Sequence, residues 1–153
     1  MTILPYTKDR RPWLEEAMVA YMTELDTGIP ESIIRTRIFD LIHSLLDRGI
    51  IHIDLLDAEG ALAGFSVYQI DTPESDWCKR PGWGFIREFF VAPGFRRHGA
   101  GQALASHTQA RLQSLGADGL YLTSTGAVPF WQRCGWQLTA ERCSNGQFIL
   151  EKE

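Results

Sequence analysis

The chain has 153 residues, 44% hydrophobic and 22% charged, with a formal net charge of -4; that fits a single domain with one proper core. The acidic balance argues against nucleic acid, whose phosphates need a basic face, and suits a cationic substrate. No stretch nears the roughly 20 apolar residues of a membrane span, Met1 to Arg11 lacks the layout of a secretion signal, and Cys78, Cys134 and Cys143 form neither a C-x-x-C pair nor a zinc-spaced cluster, so the expectation is a cytoplasmic protein with reduced thiols, no membrane partner and no metal.

Thr2-Ile3-Leu4 reads as a short strand. Pro12 suits a first helical turn, and Leu14, Met18, Tyr21 and Leu25 recur at helical spacing, which predicts an amphipathic helix over 12–25. Asp26 to Pro30 breaks it. A second helix carries Ile34, Ile38, Leu41 and Leu45 as one stripe, with Gly49 as its stop. Ile50 to Leu56 and Leu62 to Ile70 read as a hairpin about Asp57-Ala58-Glu59-Gly60. Gly64 inside the second of these strands marks a bulge or a close backbone approach. Asp71 to Gly82 is a polar loop, and Trp83 to Val91 the next strand. A helix follows over 98–115, ended by Gly116; then a short strand, Leu120 to Thr123, and a short helix over 127–134 with Pro129 near its start. Asn145-Gly146 between Trp136–Ala140 and Gln147–Leu150 signals a final hairpin. This order predicts one α/β domain over 1–153 with a mixed sheet, its fourth and fifth strands parallel and joined by a right-handed helical crossover.

The stretch Val91-Ala92-Pro93-Gly94-Phe95-Arg96-Arg97-His98-Gly99-Ala100-Gly101 sits between that fourth strand and the long helix. Strand, basic turn with glycines, helix N-terminus: the first N–H groups of a helix lack internal partners, the dipole adds partial positive charge, and glycines let a ligand reach bare backbone. A phosphate or pyrophosphate fits such a place. Spacing alone equally allows a plain turn with exposed arginines. Gly94 to Gly99 has P-loop spacing, but Ala100-Gly101 stands where Lys and Ser/Thr are needed. The dinucleotide fingerprint fails at Leu104.

Arg96-Arg97-His98-Gly99-Ala100-Gly101 matches the R/Q-x-x-G-x-G/A signature, and Ala127, Phe130-Trp131 and Cys134-Gly135-Trp136 are similar to A-x-x-F-Y-x-x-x-G-F, with tryptophan at the tyrosine and at the final phenylalanine. Together they resemble the GNAT superfamily of acyl-CoA-dependent N-acetyltransferases over nearly the whole chain. The resemblance implies a mostly antiparallel mixed sheet of about seven strands, helices on both faces, and a fourth and fifth strand splayed to hold CoA. It implies that the backbone of Arg96, Arg97, His98, Gly99, Ala100 and Gly101 holds the CoA pyrophosphate, that the backbone of Phe89 and Val91 pairs with the pantetheine arm, and that Ser124 and Thr125 line the far side of the slot. The implied reaction moves an acetyl group from acetyl-CoA to a primary amine of a small molecule or peptide by direct attack. The alternative is an acyl-CoA-binding sensor or scaffold domain with weak or no catalysis.

An ammonium must lose a proton before it attacks, which asks for a base. Glu88, a lone carboxylate in an apolar strand, is the candidate; the bland alternative is a salt bridge to a neighbouring strand or helix. Relatives that use a strand carboxylate often carry it where this chain has Arg87. Many place a tyrosine where Trp131 stands, which leaves Tyr121, Cys134 or water to protonate the thiolate. Glu24, Asp26 and Glu31 either attract a cationic amine or cap helices and face solvent, Trp77 and Trp83 either stack on substrate or cover the sheet, and His43, His52 and His107 read as structural or surface residues. Exposed aromatics are compatible with a homodimer.

Overall fold

A computed structural model describes residues 1–75 and 79–153. Trp77 and Cys78 lie outside the described residues. In chain order the elements are β1 (Thr2–Pro5), α1 (Arg11–Glu24), α2 (Glu31–Ile33), a π-helical segment (Ile34–Ile38), α3 (Phe39–Asp47), β2 (His52–Ala58), β3 (Ala61–Ile70), β4 (Gly84–Val91), α4 (Ala100–Ser114), β5 (Leu120–Ser124), α5 (Val128–Arg133), β6 (Gln137–Arg142) and β7 (Phe148–Lys152). The strands form a seven-stranded sheet in the order β1-β2-β3-β4-β5-β7-β6. β4 and β5 run parallel, in register from Gly84 opposite Leu120 to Ile86 opposite Leu122. β1–β2, β5–β7 and β6–β7 are antiparallel. This is the α/β mixed sheet expected from the element order.

The second helix departs from its expected stripe. A regular α-helix would bury Ile34, Ile38, Leu41 and Leu45 together. Instead the π-helical segment inserts a wider turn, and the buried face passes to Ile34, Phe39 and Ile42, while Leu41 is 54% exposed. One additional residue in a turn rotates everything after it by about 100°.

The chain divides into two compact units, Met1–Val67 with Glu88–Leu104, and Tyr68–Arg87 with Ala105–Glu153. In the first unit Leu14 and Met18 of α1 pack with Ile34, Phe39, Ile42, Ile53, Leu55, Phe65, Val67 and Phe90. A separate cluster joins Leu56, Ala63 and Val91 to Ala100 and Leu104 at the start of α4. Leu55 and Leu56, like Phe90 and Val91, are adjacent on a strand and therefore point to opposite faces. Helices thus cover both faces of the sheet within this unit. Gly64 is the close approach that its glycine suggested: a Cβ there would stand 2.3 Å from the Phe90 carbonyl oxygen.

In the second unit Phe85 stacks on Tyr121 at 4.6 Å, with Ile149 completing their buried cluster. Asp71, 2% exposed, gathers the polar loop. Its Oδ2 accepts from the Tyr121 hydroxyl, from Lys79 N–H at 2.9 Å and from Arg80 N–H at 3.1 Å; its Oδ1 accepts from Thr72 N–H at 3.2 Å and Gln69 Nε2 at 3.3 Å. The β6–β7 hairpin closes through Gly146 N–H to Cys143 C=O at 2.9 Å, with Gly146 at φ +86° as its Asn-Gly signal required.

Candidate active site

β4 ends because Pro93 cannot donate to the sheet ladder. Its burial is graded: Gly84 to Ile86 buried, Arg87 to Phe89 half-buried, Phe90 and Val91 buried again. A single 3-10 turn, Pro93–Phe95, follows. Arg96 N–H closes that turn on the Pro93 carbonyl at 3.3 Å, so of the signature backbone this one N–H is engaged within the protein. Arg97 (φ 66°) and Gly99 (φ 83°) then take left-handed conformations. The α4 ladder opens with Ala103 N–H to Gly99 C=O at 3.0 Å, so the N–H groups of Ala100, Gly101 and Gln102 precede it and lack helical partners. A Cβ built on Gly99 would meet nothing within 4 Å. Backbone donors without helical partners, left-handed residues, a helix N-terminus and open space above Gly99 form a cradle of the right chemistry for a pyrophosphate.

The Arg96 side chain turns away from this cradle. Its Nε donates to the Val91 carbonyl at 2.8 Å, its Nη2 meets both Glu24 oxygens at 2.7 and 2.8 Å, and its guanidinium lies 5.9 Å from the Phe90 ring centroid. Arg97, His98 and Gly99 are exposed, Gly101 is half-buried, and Ala100 is buried against Leu104. Phe89 and Val91 sit in the cluster with α4, on the opposite face from Phe90.

Glu88 is half-buried on β4, and its Oε2 accepts the hydroxyl of Tyr21 from α1. The partner in this bond is a neutral phenol from a helix packed on the strand. The Tyr21 ring stands edge-on to Phe65 (5.5 Å between centroids) and Phe90 (5.8 Å). Burial pushes the Tyr21 phenol far above its usual ionisation range, and the Glu88 charge pushes it the same way. Sequence reading placed Tyr21 in a helical stripe and missed it as a site residue. The signal was available, because a tyrosine on an inward stripe needs a partner for its hydroxyl. Arg87, one position earlier, donates to Gln69 Oε1 at 2.8 Å.

In the second unit Ser124 is buried at the end of β5, and its Oγ accepts the Ala127 N–H at 3.2 Å; Thr125 is exposed. Trp131 is 4% exposed and packs edge-to-face on Phe130 and Trp136. Tyr121, considered as a proton donor, is fully buried with its hydroxyl committed to Asp71. Cys134 is half-buried, and burial pushes its thiol up. Trp83 lies under the Arg80 guanidinium at 5.6 Å. Of the acidic residues suggested for the acceptor, Glu24 is paired with Arg96 and Glu31 with Arg35 at 2.7 Å, while Asp26 is exposed with φ 54°. His43 accepts or donates at 2.7 Å to Tyr6, a structural pairing as expected.

Residues 13–136 match the acetyltransferase (GNAT) family. The chain belongs to that family. Solved structures agree on the fold of this GNAT acetyltransferase. PaiA N-acetyltransferase from Thermoplasma acidophilum, in complex with coenzyme A, superposes with a TM-score of 0.74 at 16% identity, covering 100% of this chain and 99% of that one. The ribosomal-protein-alanine N-acetyltransferase of Brucella melitensis gives 0.75 at 14% identity, with 99% of each chain covered. AAC(6')-Iy, in complex with the bisubstrate analogue CoA-S-monomethyl-acetylneamine, gives 0.72 at 17% identity over 93% of each chain. No curated protein sequence matches this GNAT chain. Among its described residues no helix is long and apolar enough to cross a membrane.

Proposed function

We propose that this acetyltransferase transfers the acetyl group of acetyl-CoA to a primary amine of a small molecule or a peptide, with Glu88 as the general base. The observation that carries the reading is the left-handed turn at Arg97–Gly99 leading into the α4 N-terminus, with open space above Gly99. The backbone donors of Arg97 to Gly101 would hold the pyrophosphate, and the α4 dipole adds to their field. The backbone of Phe89 and Val91 would pair with the pantetheine arm, and Ser124 and Thr125 would border the acyl end. Bound acetyl-CoA supplies an activated acyl group. Glu88 takes the proton that the attacking ammonium must lose, and a β4 backbone N–H supports the carbonyl oxygen as charge develops on it. With the Tyr121 hydroxyl held by Asp71, the proton for the departing thiolate comes from water. Cys134 and Cys143 are free thiols, in keeping with a cytoplasmic setting.

The second reading, an acyl-CoA-binding domain without turnover, is favoured by one observation: Trp131 fills the aromatic cluster where many relatives carry a tyrosine. Thiol release from acetyl-CoA separates the two. With spermidine, neamine and an alanine-terminated peptide as acceptors, turnover of at least one amine, reduced about 100-fold in Glu88→Gln, is the expected result. Acetyl-CoA binding with no turnover of any amine supports the second reading instead.

A further inference from the structure

Tyr21 supplies a second group to the Glu88 site, and its geometry is set from two sides. Its ring is wedged edge-on between Phe65 of β3 and Phe90 of β4, at interplanar angles of 83° and 62°. Phe90 and Glu88 lie two apart on β4 and so share a face. Ring packing and hydroxyl bond therefore act at neighbouring points of one strand: the ring fixes where the hydroxyl is, and the hydroxyl fixes where Glu88 Oε2 is. An ordered carboxylate matters, because a base misplaced by about 1 Å can lose two orders of magnitude in rate.

We propose that Tyr21 is a positioning residue for the reaction, holding the Glu88 carboxylate in the rotamer that meets the acceptor amine. The proposal rests on Glu88 as the base. Three observations favour positioning over direct catalysis. The phenol remains protonated throughout the neutral range, since burial and then the Glu88 charge oppose its ionisation, so Tyr21 donates and does not itself act as a base. Its hydroxyl donates its one proton to Glu88 and also meets the Phe89 backbone beside it. Its ring belongs to the wall formed by Phe65 and Phe90.

Kinetics with acetyl-CoA and whichever of spermidine, neamine or the alanine-terminated peptide the wild type turns over test this directly. Tyr21→Phe keeps the ring and removes only the hydroxyl. The expected result is a kcat about tenfold lower, the loss of one hydrogen bond to a charged group, with KM for acetyl-CoA and the CoA-induced rise in melting temperature unchanged. Glu88→Gln should fall about 100-fold, and Tyr21→Phe with Glu88→Gln should fall no further than Glu88→Gln alone. A Tyr21→Phe variant with wild-type kcat beside a crippled Glu88→Gln overturns the role of Tyr21 and leaves the base standing. A Glu88→Gln variant with wild-type kcat, or a wild type that turns over no amine, overturns the base and Tyr21 with it. A double variant about tenfold below Glu88→Gln shows that the Tyr21 hydroxyl acts independently of the Glu88 carboxylate, which also overturns the proposal.

Discussion

Tyr6 and His43 form a pair outside the candidate site whose titration reports on stability. Tyr6 hydroxyl and His43 Nε2 lie 2.7 Å apart. Burial is the largest cause for both: it lowers His43 below its usual 6.5, with Arg11 and Lys8 adding to the effect, and raises Tyr6 from 10 to about 12. A histidine held neutral by the fold contributes stability that is complete above its unfolded value and is lost as pH falls below it. A phenol held neutral contributes stability that is complete below pH 10 and is lost between 10 and about 12. The melting temperature should therefore decline as pH drops below 6.5, and His43→Gln should flatten that decline; an unchanged acid limb in the variant would assign the decline to other groups. Residues of this kind are poorly legible in sequence. Neither the partner of His43 nor that of Tyr21 is visible without the fold, because the contacts span 37 and 67 residues.

At the scale of elements, β3 and β4 approach closely where Gly64 faces Phe90. An alanine Cβ would meet the Phe90 carbonyl at 2.3 Å, and backbone cannot move aside as a flexible side chain can. Gly64→Ala should cost about 1–3 kcal/mol, a fall of roughly 3–9 °C in melting temperature for a chain of this size. It should also weaken CoA binding, since Phe89 and Val91 flank the displaced residue. A variant that melts and binds like the wild type would refute the close approach. The polar loop over 71–82 makes a sharper case. All five groups bonded to Asp71 are donors, so Asp71→Asn places an amide N–H₂ against donors whichever way it is turned. Thermal melts should show a loss of about 1–3 kcal/mol; wild-type stability would mean that the loop is not organised by this carboxylate. Sequence located Gly64 because a glycine inside a strand has few uses. It read Asp71 only as part of a polar loop, since a buried carboxylate and a solvated one look alike until their partners are placed. It also could not show the π-helical segment, because the apolar residues of 34–45 offer two stripes and only the wider turn selects Phe39 and Ile42 over Leu41.

For the whole molecule, strand count, element order and the parallel β4–β5 pair were legible because turn residues and changes of period punctuate the chain at nearly every boundary. The strand order was less so: β7 lies between β5 and β6, which adjacency along the chain does not reveal. The Arg97–Gly101 turn was legible as an anion-binding shape, since glycines and a helix start are local features. The acceptor was not, because its candidates are single charges, and the fold pairs Glu24 with Arg96 and Glu31 with Arg35. The central claim is that the backbone of the Arg97–Gly101 turn holds the CoA pyrophosphate. Thermal melting with and without acetyl-CoA, in the wild type and in Gly99→Trp, tests it most directly. Free Gly99→Trp should melt lower, because φ +83° strains any L side chain. Acetyl-CoA at about 100 times its Kd should stabilise the wild type by about 2.7 kcal/mol, and Gly99→Trp should show no such rise. An equal rise in both proteins would contradict the placement of the pyrophosphate, and no rise in either would contradict acyl-CoA binding at this turn.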